Sequence, residues 1–284
     1  MGETVIKFPR NLYTDVVGLN FLSSQFSKIA TENNHLILDF TKNIWTDANL
    51  SSIISLLIDC AKNKNNSRIT IRHIDNEVMK IFRKNGFFEK YDLSIEKDVY
   101  DSTIPLRDFN VDQEEDFLYH LIEKVMPKIN FRNTIDPGVV KSFQSSLSEI
   151  FTNVRLHSDS DKVYTCGQLF YNKEKVSFTI VNQGRTIKDN VNNITGKQLT
   201  DSESIYWAIK EGNTTKRVSD NGGLGFPIVK NFLANNNGTL FIKSGRGMLI
   251  YNDNNVRFKE YTAHFPGTIV SIESSLKKPL FWSD

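Results

Sequence analysis

The sequence predicts a mixed α/β chain of two units, residues 1–105 and 106–284, and three observations lead there. In the first unit, short apolar runs alternate with amphipathic helical stretches, the pattern of a small layer with a parallel pair of strands. Between Asp98 and Phe109 the composition turns mixed and polar around Pro105, which sets the boundary. In the second unit, Glu149, Asn153 and His157 recur every four residues inside an amphipathic run from Pro137 to Ser158. On a helix, that spacing lines up a carboxylate, an amide and an imidazole on one face. The opposite stripe, Val140, Phe143, Leu147, Ile150 and Val154, is apolar and suited to pack on a sheet.

Composition narrows the function classes. Apolar residues make up 39 % of the 284 positions, with 20 Phe, enough for a substantial core. A net charge of +2 does not announce a nucleic-acid binder or a membrane-surface protein. Cys60 and Cys166 fit no metal spacing and are expected as reduced, buried thiols. Met1 to Arg10 lacks the apolar stretch of a signal peptide, and no uncharged run approaches the length of a membrane span. The expectation is a soluble cytoplasmic protein with no membrane partner and no direct contact with nucleic acid.

Along the first unit, Leu12, Val16, Leu19, Leu22, Phe26 and Ile29 carry helical spacing. His35 to Phe40 reads as a buried strand. Asp47 to Asn63 reads as a helix with Asp47 as candidate N-cap. Arg68 to Arg72 follows as a second strand, then Asp75 to Asn85 as a helix stopped by Gly86. This order, with a strand ending in Asp39, Thr41 shortly after and Asp47 opening the next helix, resembles the STAS domains of anti-sigma-factor antagonists and related bacterial regulators. In phosphoswitching members a serine follows the aspartate that opens the helix. Here Ala48 and Asn49 follow it, with Ser51 and Ser52 further along. The resemblance therefore implies a docking or dimerisation module.

In the second unit, Asp112 to Met126 is amphipathic and is expected to stop before Pro127. His120 within it lacks the acidic neighbour of a phosphoacceptor histidine and reads as a surface or packing residue. Val163 to Tyr171 and Lys175 to Asn182 form a hairpin joined at Asn172-Lys173-Glu174. After Asn182-Gln183-Gly184-Arg185-Thr186 come a loop, a helix from Ser202 to Lys210 and a polar stretch from Gly212 to Asn221. Gly222-Gly223-Leu224-Gly225 then opens a helix running to Ala234, and Asn235 to Gly238 ends it. Strands are expected at Thr239 to Lys243, Met248 to Tyr251, Val256 to Thr262 and Thr268 to Glu273. Glycines at a helix start let backbone N–H groups and the positive end of the helix dipole approach phosphate oxygens. Lys216 and Arg217 stand just upstream, where they could fold over those phosphates.

This order of motifs resembles the GHKL ATPase superfamily, which includes gyrase-type ATPases, histidine-kinase catalytic domains, MutL-type proteins and anti-sigma serine kinases. Ser-Glu-x-x-Thr-Asn-x-x-x-His is closest to the anti-sigma-kinase version of its first motif. The resemblance implies a mixed, mostly antiparallel sheet with helices on one face, and ATP and Mg²⁺ as cofactors. It implies Glu149 as general base on the attacking water or hydroxyl, and Asn153 as the side-chain oxygen ligand of Mg²⁺. His157, Asn182, Gly184, Lys216, Arg217, Gly223, Leu224, Gly225 and Thr268 would surround the nucleotide. At the second motif the family carries Asp-x-Gly-x-Gly, whose aspartate accepts a bond from the adenine amino group. Here Asn182 and Thr186 replace the aspartate and the second glycine. Asn182 retains a carbonyl acceptor but also carries a donor.

Three functions stay open at this level. The first is a Mg²⁺-dependent ATPase or nucleotide-driven switch that regulates a protein partner through the STAS-like unit, with nucleotide-dependent homodimerisation as a family expectation. The second is an anti-sigma-type serine/threonine kinase acting in partner switching. The third is a non-hydrolysing nucleotide-binding adaptor.

Overall fold

Near the N-terminus the chain forms a strand, Glu3–Lys7 (β1), that sequence reading passed over, and a very short one, Asn11–Leu12 (β2). A computed structural model describes residues 2–29, 35–91, 93–130, 136–210, 213 and 225–276. After β2 come helix α1 (Val16–Lys28), β3 (His35–Asp39), a short β4 (Trp45–Thr46), α2 (Ser51–Asn65), β5 (Arg68–Arg72) and α3 (Asn76–Lys84). β1, β3 and β5 pair in parallel in that order, with β3 central. Leu36, Ile37 and Leu38 of β3 are all buried, as a parallel strand covered on both faces requires. Asp15 and Asp75 cap α1 and α3, accepting from the Gly18 and Glu77 N–H groups at 2.8 Å each. Asp47 does not cap. Its carboxylate accepts instead from Thr14 N–H (2.7 Å) and the Trp45 indole (2.9 Å), and α2 opens through a 3₁₀ turn at Ala48–Leu50. Tertiary partners won the acceptor that the local pattern assigned to the helix.

The second half supplies β6 (Thr103–Asn110), α4 (Glu114–His120), a π-helical turn (Leu121–Val125), α5 (Met126–Ile129) and α6 (Pro137–His157). Then follow β7 (Lys162–Phe170), β8 (Lys175–Gln183), α7 (Ile187–Thr195), α8 (Asp201–Ala208), α9 (Gly225–Asn235), β9 (Thr239–Asn252) and β10 (Asn255–Ser275). They build a five-stranded sheet in the order β6-β7-β8-β10-β9, antiparallel throughout. The β7–β8 hairpin turns where expected, with Glu174 in the left-handed region at φ 45°.

Several expectations need correction. Helical backbone continues past Pro127, because the π-helical turn ends where the proline can serve as a first-turn residue that needs no donor. The four short strands after α9 are two long ones: polar Lys243 to Gly247 stays in β9, absorbed by register shifts opposite Glu260 to Thr268. The stretch after Thr186 is a helix, α7, opened by a capping box in which Thr186 and Asp189 satisfy each other's backbone N–H groups. The expected boundary between residues 105 and 106 falls inside β6.

The helices of the second half pack on one face of the sheet, as expected, and α1 and α2 of the first half cover the other. One face packs Val163, Phe178, Ile180, Val270 and Ile242 against α4, α6 and α9. There Phe117 stacks on Phe151 (4.4 Å) and Phe143 on Phe232 (4.0 Å). The alternate residues, Tyr164, Cys166, Val181, Ile269 and Phe241, share a second core with α1, α2 and the apolar side chains of the first half. Polar groups cross this junction in pairs. Asn49 amide N–H groups reach Thr14 Oγ1 (2.9 Å) and Thr179 Oγ1 (2.8 Å), and Thr179 bonds Ser271 (2.7 Å). Lys90 bridges Asp59 and Asp108 at 2.9 Å each, while Lys162 also holds Asp108 (2.8 Å). Burial works to raise the Asp108 carboxyl, yet the bonds from Lys162 and Lys90 keep it below its usual range.

Cys166 is buried and Cys60 half-buried, and both are free thiols. Among the described residues no helix is long and apolar enough to cross a membrane.

Candidate functional site

α6 owes its length and direction to its ends and its stripe. Asp136 accepts from Gly138 and Val139 N–H (2.7 and 3.3 Å), Pro137 stands in the first turn, and Val139, Phe143, Leu147, Ile150 and Val154 are buried on the sheet side. Glu114 of α4 fixes the helix from its flank, accepting from Thr152 Oγ1 (2.9 Å) and pairing with Arg155 (3.1 Å). With α6 so placed, Glu149, Asn153 and His157 all line one cavity of about 120 Å³. Further lining side chains come from far along the chain, among them Ile180 and Asn182 of β8, Asn190 and Val191 of α7, Trp207 of α8, Phe226 of α9, and Thr268 and Val270 of β10. Oxygen and amide groups thus share a concave site with apolar and aromatic surface, the mix found in ligand pockets.

The end of β8 is built with little tolerance. Asn182 is buried and pairs with Thr268 in the β8–β10 register. Its amide donates to the Gln183 carbonyl (3.0 Å), and among the described residues its Oδ1 takes no hydrogen bond. Gly184 adopts φ 131°, and a Cβ there would stand 1.9 Å from the Ser158 carbonyl oxygen. That carbonyl, at the end of α6, accepts from Arg185 N–H (2.6 Å), and Arg185 Nε pairs with Asp159 at 2.5 Å. The turn is thereby clamped to the helix that carries Glu149 and Asn153. Ser244 ties the far side, accepting from Ile187 N–H (3.0 Å), donating to the Gly267 carbonyl (2.7 Å) and touching Thr268 Oγ1 (3.2 Å). Next to it, Lys243 is fully buried, donating to the carbonyls of Arg246 (3.0 Å) and Ala263 (2.8 Å). Burial pulls its amine down to about 8.

Of the residues picked from sequence, Glu149, Asn153, His157, Asn182 and Thr268 converge on the cavity. Gly184 shapes the turn behind it, and Gly225 opens α9 next to Phe226, which lines the cavity. Lys216, Arg217, Gly223 and Leu224 lie outside the described residues. Trp207, Asn190 and Arg185 were missed. Asn190 sits on the unforeseen α7, whose Thr186-x-x-Asp189 capping box was the available signal, and nothing local marks Trp207 as a cavity residue. Among the described residues no group of three or more His, Cys, Asp or Glu side chains is placed to hold a metal.

No protein-family model matches the chain. No curated protein matches it either.

Proposed function

We propose that the chain is an ATP-binding protein of the GHKL type that hydrolyses ATP in a Mg²⁺-dependent way and so regulates a protein partner. The observation that carries this reading is convergence: Glu149, Asn153 and His157 meet Asn182 and Thr268 in one cavity, from motifs spread over 120 positions of sequence. The donor chemistry fits the ligands. Asn153 and Glu149 bring hard oxygen atoms and no cysteine lines the cavity among the described residues, which suits Mg²⁺ held by one or two protein oxygens together with phosphates and water.

In this reading Asn153 holds the cation through its side-chain oxygen. Bound Mg²⁺ would neutralise charge on the phosphates. Glu149, one helical turn earlier, orients the attacking water and takes its proton on a carboxylate oxygen. Asn182 accepts from the amino group of the base through Oδ1, its own N–H being held by the Gln183 carbonyl. Trp207, Val191 and Val270 offer apolar surface that excludes water from the base.

Thermal shift with ATP, ADP and GTP, with and without Mg²⁺, tests the reading on the wild type and Asn153→Ala. A ligand at a hundredfold its Kd adds about 2.7 kcal/mol of stability. A Mg²⁺-dependent ATP shift that vanishes in the variant is the expected outcome, and no shift with any nucleotide would overturn the reading. Phosphate release, with and without candidate partner proteins, then separates an ATPase from a kinase.

A further inference from the structure

Asn182 and Gln183 are neighbours on one strand, so their side chains leave the sheet on opposite faces. Asn182 lines the cavity described above. Gln183 lines a second one behind the sheet, together with Phe26, Cys60, Lys64, His264 and Pro266. The two residues are linked. Cys60 Sγ, on α2 of the first half, donates to Gln183 Oε1 at 2.8 Å, and the Gln183 carbonyl accepts the amide N–H of Asn182 at 3.0 Å. A continuous path thus runs from an N-terminal helix through the sheet to the one acceptor atom that Asn182 presents.

An amide side chain presents its oxygen in one direction only if its nitrogen is held. Here the Gln183 carbonyl does the holding, and the Gln183 side chain is itself anchored on α2 through Cys60. Gln183 is exposed, so its side chain fills no core space and has little packing role. The remainder of the turn is rigid: Gly184 N–H donates to the Pro266 carbonyl (3.1 Å), and Gly267 faces Gln183 in the register.

We propose that Gln183 is a positioning residue for the base-reading Asn182, and that α2 sets it through Cys60. The first half of the chain then tunes the affinity for the base itself, without touching the nucleotide. This inference rests on the nucleotide reading given above.

The test compares ATP with purine riboside triphosphate, which lacks the 6-amino group, by calorimetric titration of the full chain with Mg²⁺. Gln183→Ala and Cys60→Ala should each weaken ATP about two- to tenfold, the worth of one neutral hydrogen bond. Binding of purine riboside triphosphate should not change. Cys60→Ser, which keeps a donor at that position, should restore ATP affinity to within twofold of wild type. Equal losses for both nucleotides, or no loss of ATP affinity in either alanine variant, would overturn the positioning role while leaving the site intact. A wild-type chain that binds neither nucleotide would sink the nucleotide reading and this inference with it. Melting curves of the same variants confirm that each is folded.

Discussion

Asn182 and Thr268 stand opposite each other across the β8–β10 pair, and both line the cavity that also takes Glu149 and Asn153 of α6. In an antiparallel pair, residues directly opposite share one face of the sheet, so the register fixes this meeting. Gly267, beside Thr268, must be glycine: its φ is 149°, and a Cβ would lie 2.1 Å from the Asn182 carbonyl oxygen. The close approach of the two strand ends is what holds Asn182 and Thr268 together.

The proposed mechanism gives the α6 row two different roles, which kinetics can separate. Glu149→Gln should bind Mg²⁺–ATP with wild-type affinity but lose turnover by about 10²- to 10⁴-fold, the usual contribution of a positioned base. Phosphate-release assays at saturating ATP check this. Normal hydrolysis by the variant would remove Glu149 from the mechanism.

Asn182→Asp exchanges a neutral acceptor for a charged one and deletes the donor to Gln183. ATP affinity should hold or rise, because a charge-assisted bond to the amino group is the stronger kind. Stability without ligand should fall by about 1 kcal/mol for the lost bond. Parallel ATP titration and urea melts measure the two effects, and a weaker ATP complex would point to a different base or pocket.

Gly184→Ala should destabilise the chain by about 2–4 kcal/mol, since it combines positive-φ strain with a collision against the end of α6. Because the collision partner is the Ser158 carbonyl, the α6–β8 clamp opens and ATP affinity should fall as well. Urea unfolding midpoints and ATP titration read the two consequences.

His120 gives the fold an acid limit. It lies among Phe109 and Thr165 on the helix side of the sheet, and burial, aided by Arg107 and Lys124, pulls its pKa from 6.5 to about 4. The folded state keeps it neutral while the unfolded chain protonates near 6.5. Its contribution is therefore fully present above pH 6.5 and lost as pH falls towards 4. The shift corresponds to roughly 3 kcal/mol at 1.36 kcal/mol per unit. Stability measured against urea from pH 4 to 7 should show this slope in the wild type and a flatter one in His120→Gln.

The parts that sequence reading placed correctly are local in origin. The α6 row depends on a four-residue spacing within one helix. β3, β5 and the β7–β8 hairpin announce themselves by apolar runs and alternation. The failures are equally consistent. Asp47 looked like a cap because its role as acceptor for Thr14 and Trp45 depends on residues brought in by the fold. Ser244 to Gly247 reads as a break between strands, yet the chain stays in β9, and the buried Lys243 beside it is satisfied by the Arg246 carbonyl of its own strand and the Ala263 carbonyl across the bulged pairing. Trp207 gave no signal at all.

What the amino-acid order determined by itself, then, is the amphipathic helices, the central strands and the one-sided row of Glu149, Asn153 and His157, because helix periodicity and alternation act over a few residues. Tertiary structure decided that this row meets Asn182, Thr268 and Trp207, and that α1 and α2 cover the opposite face of the same sheet. Those outcomes depend on strand order, register and the burial of two alternating faces, which are set by contacts between residues far apart in the chain.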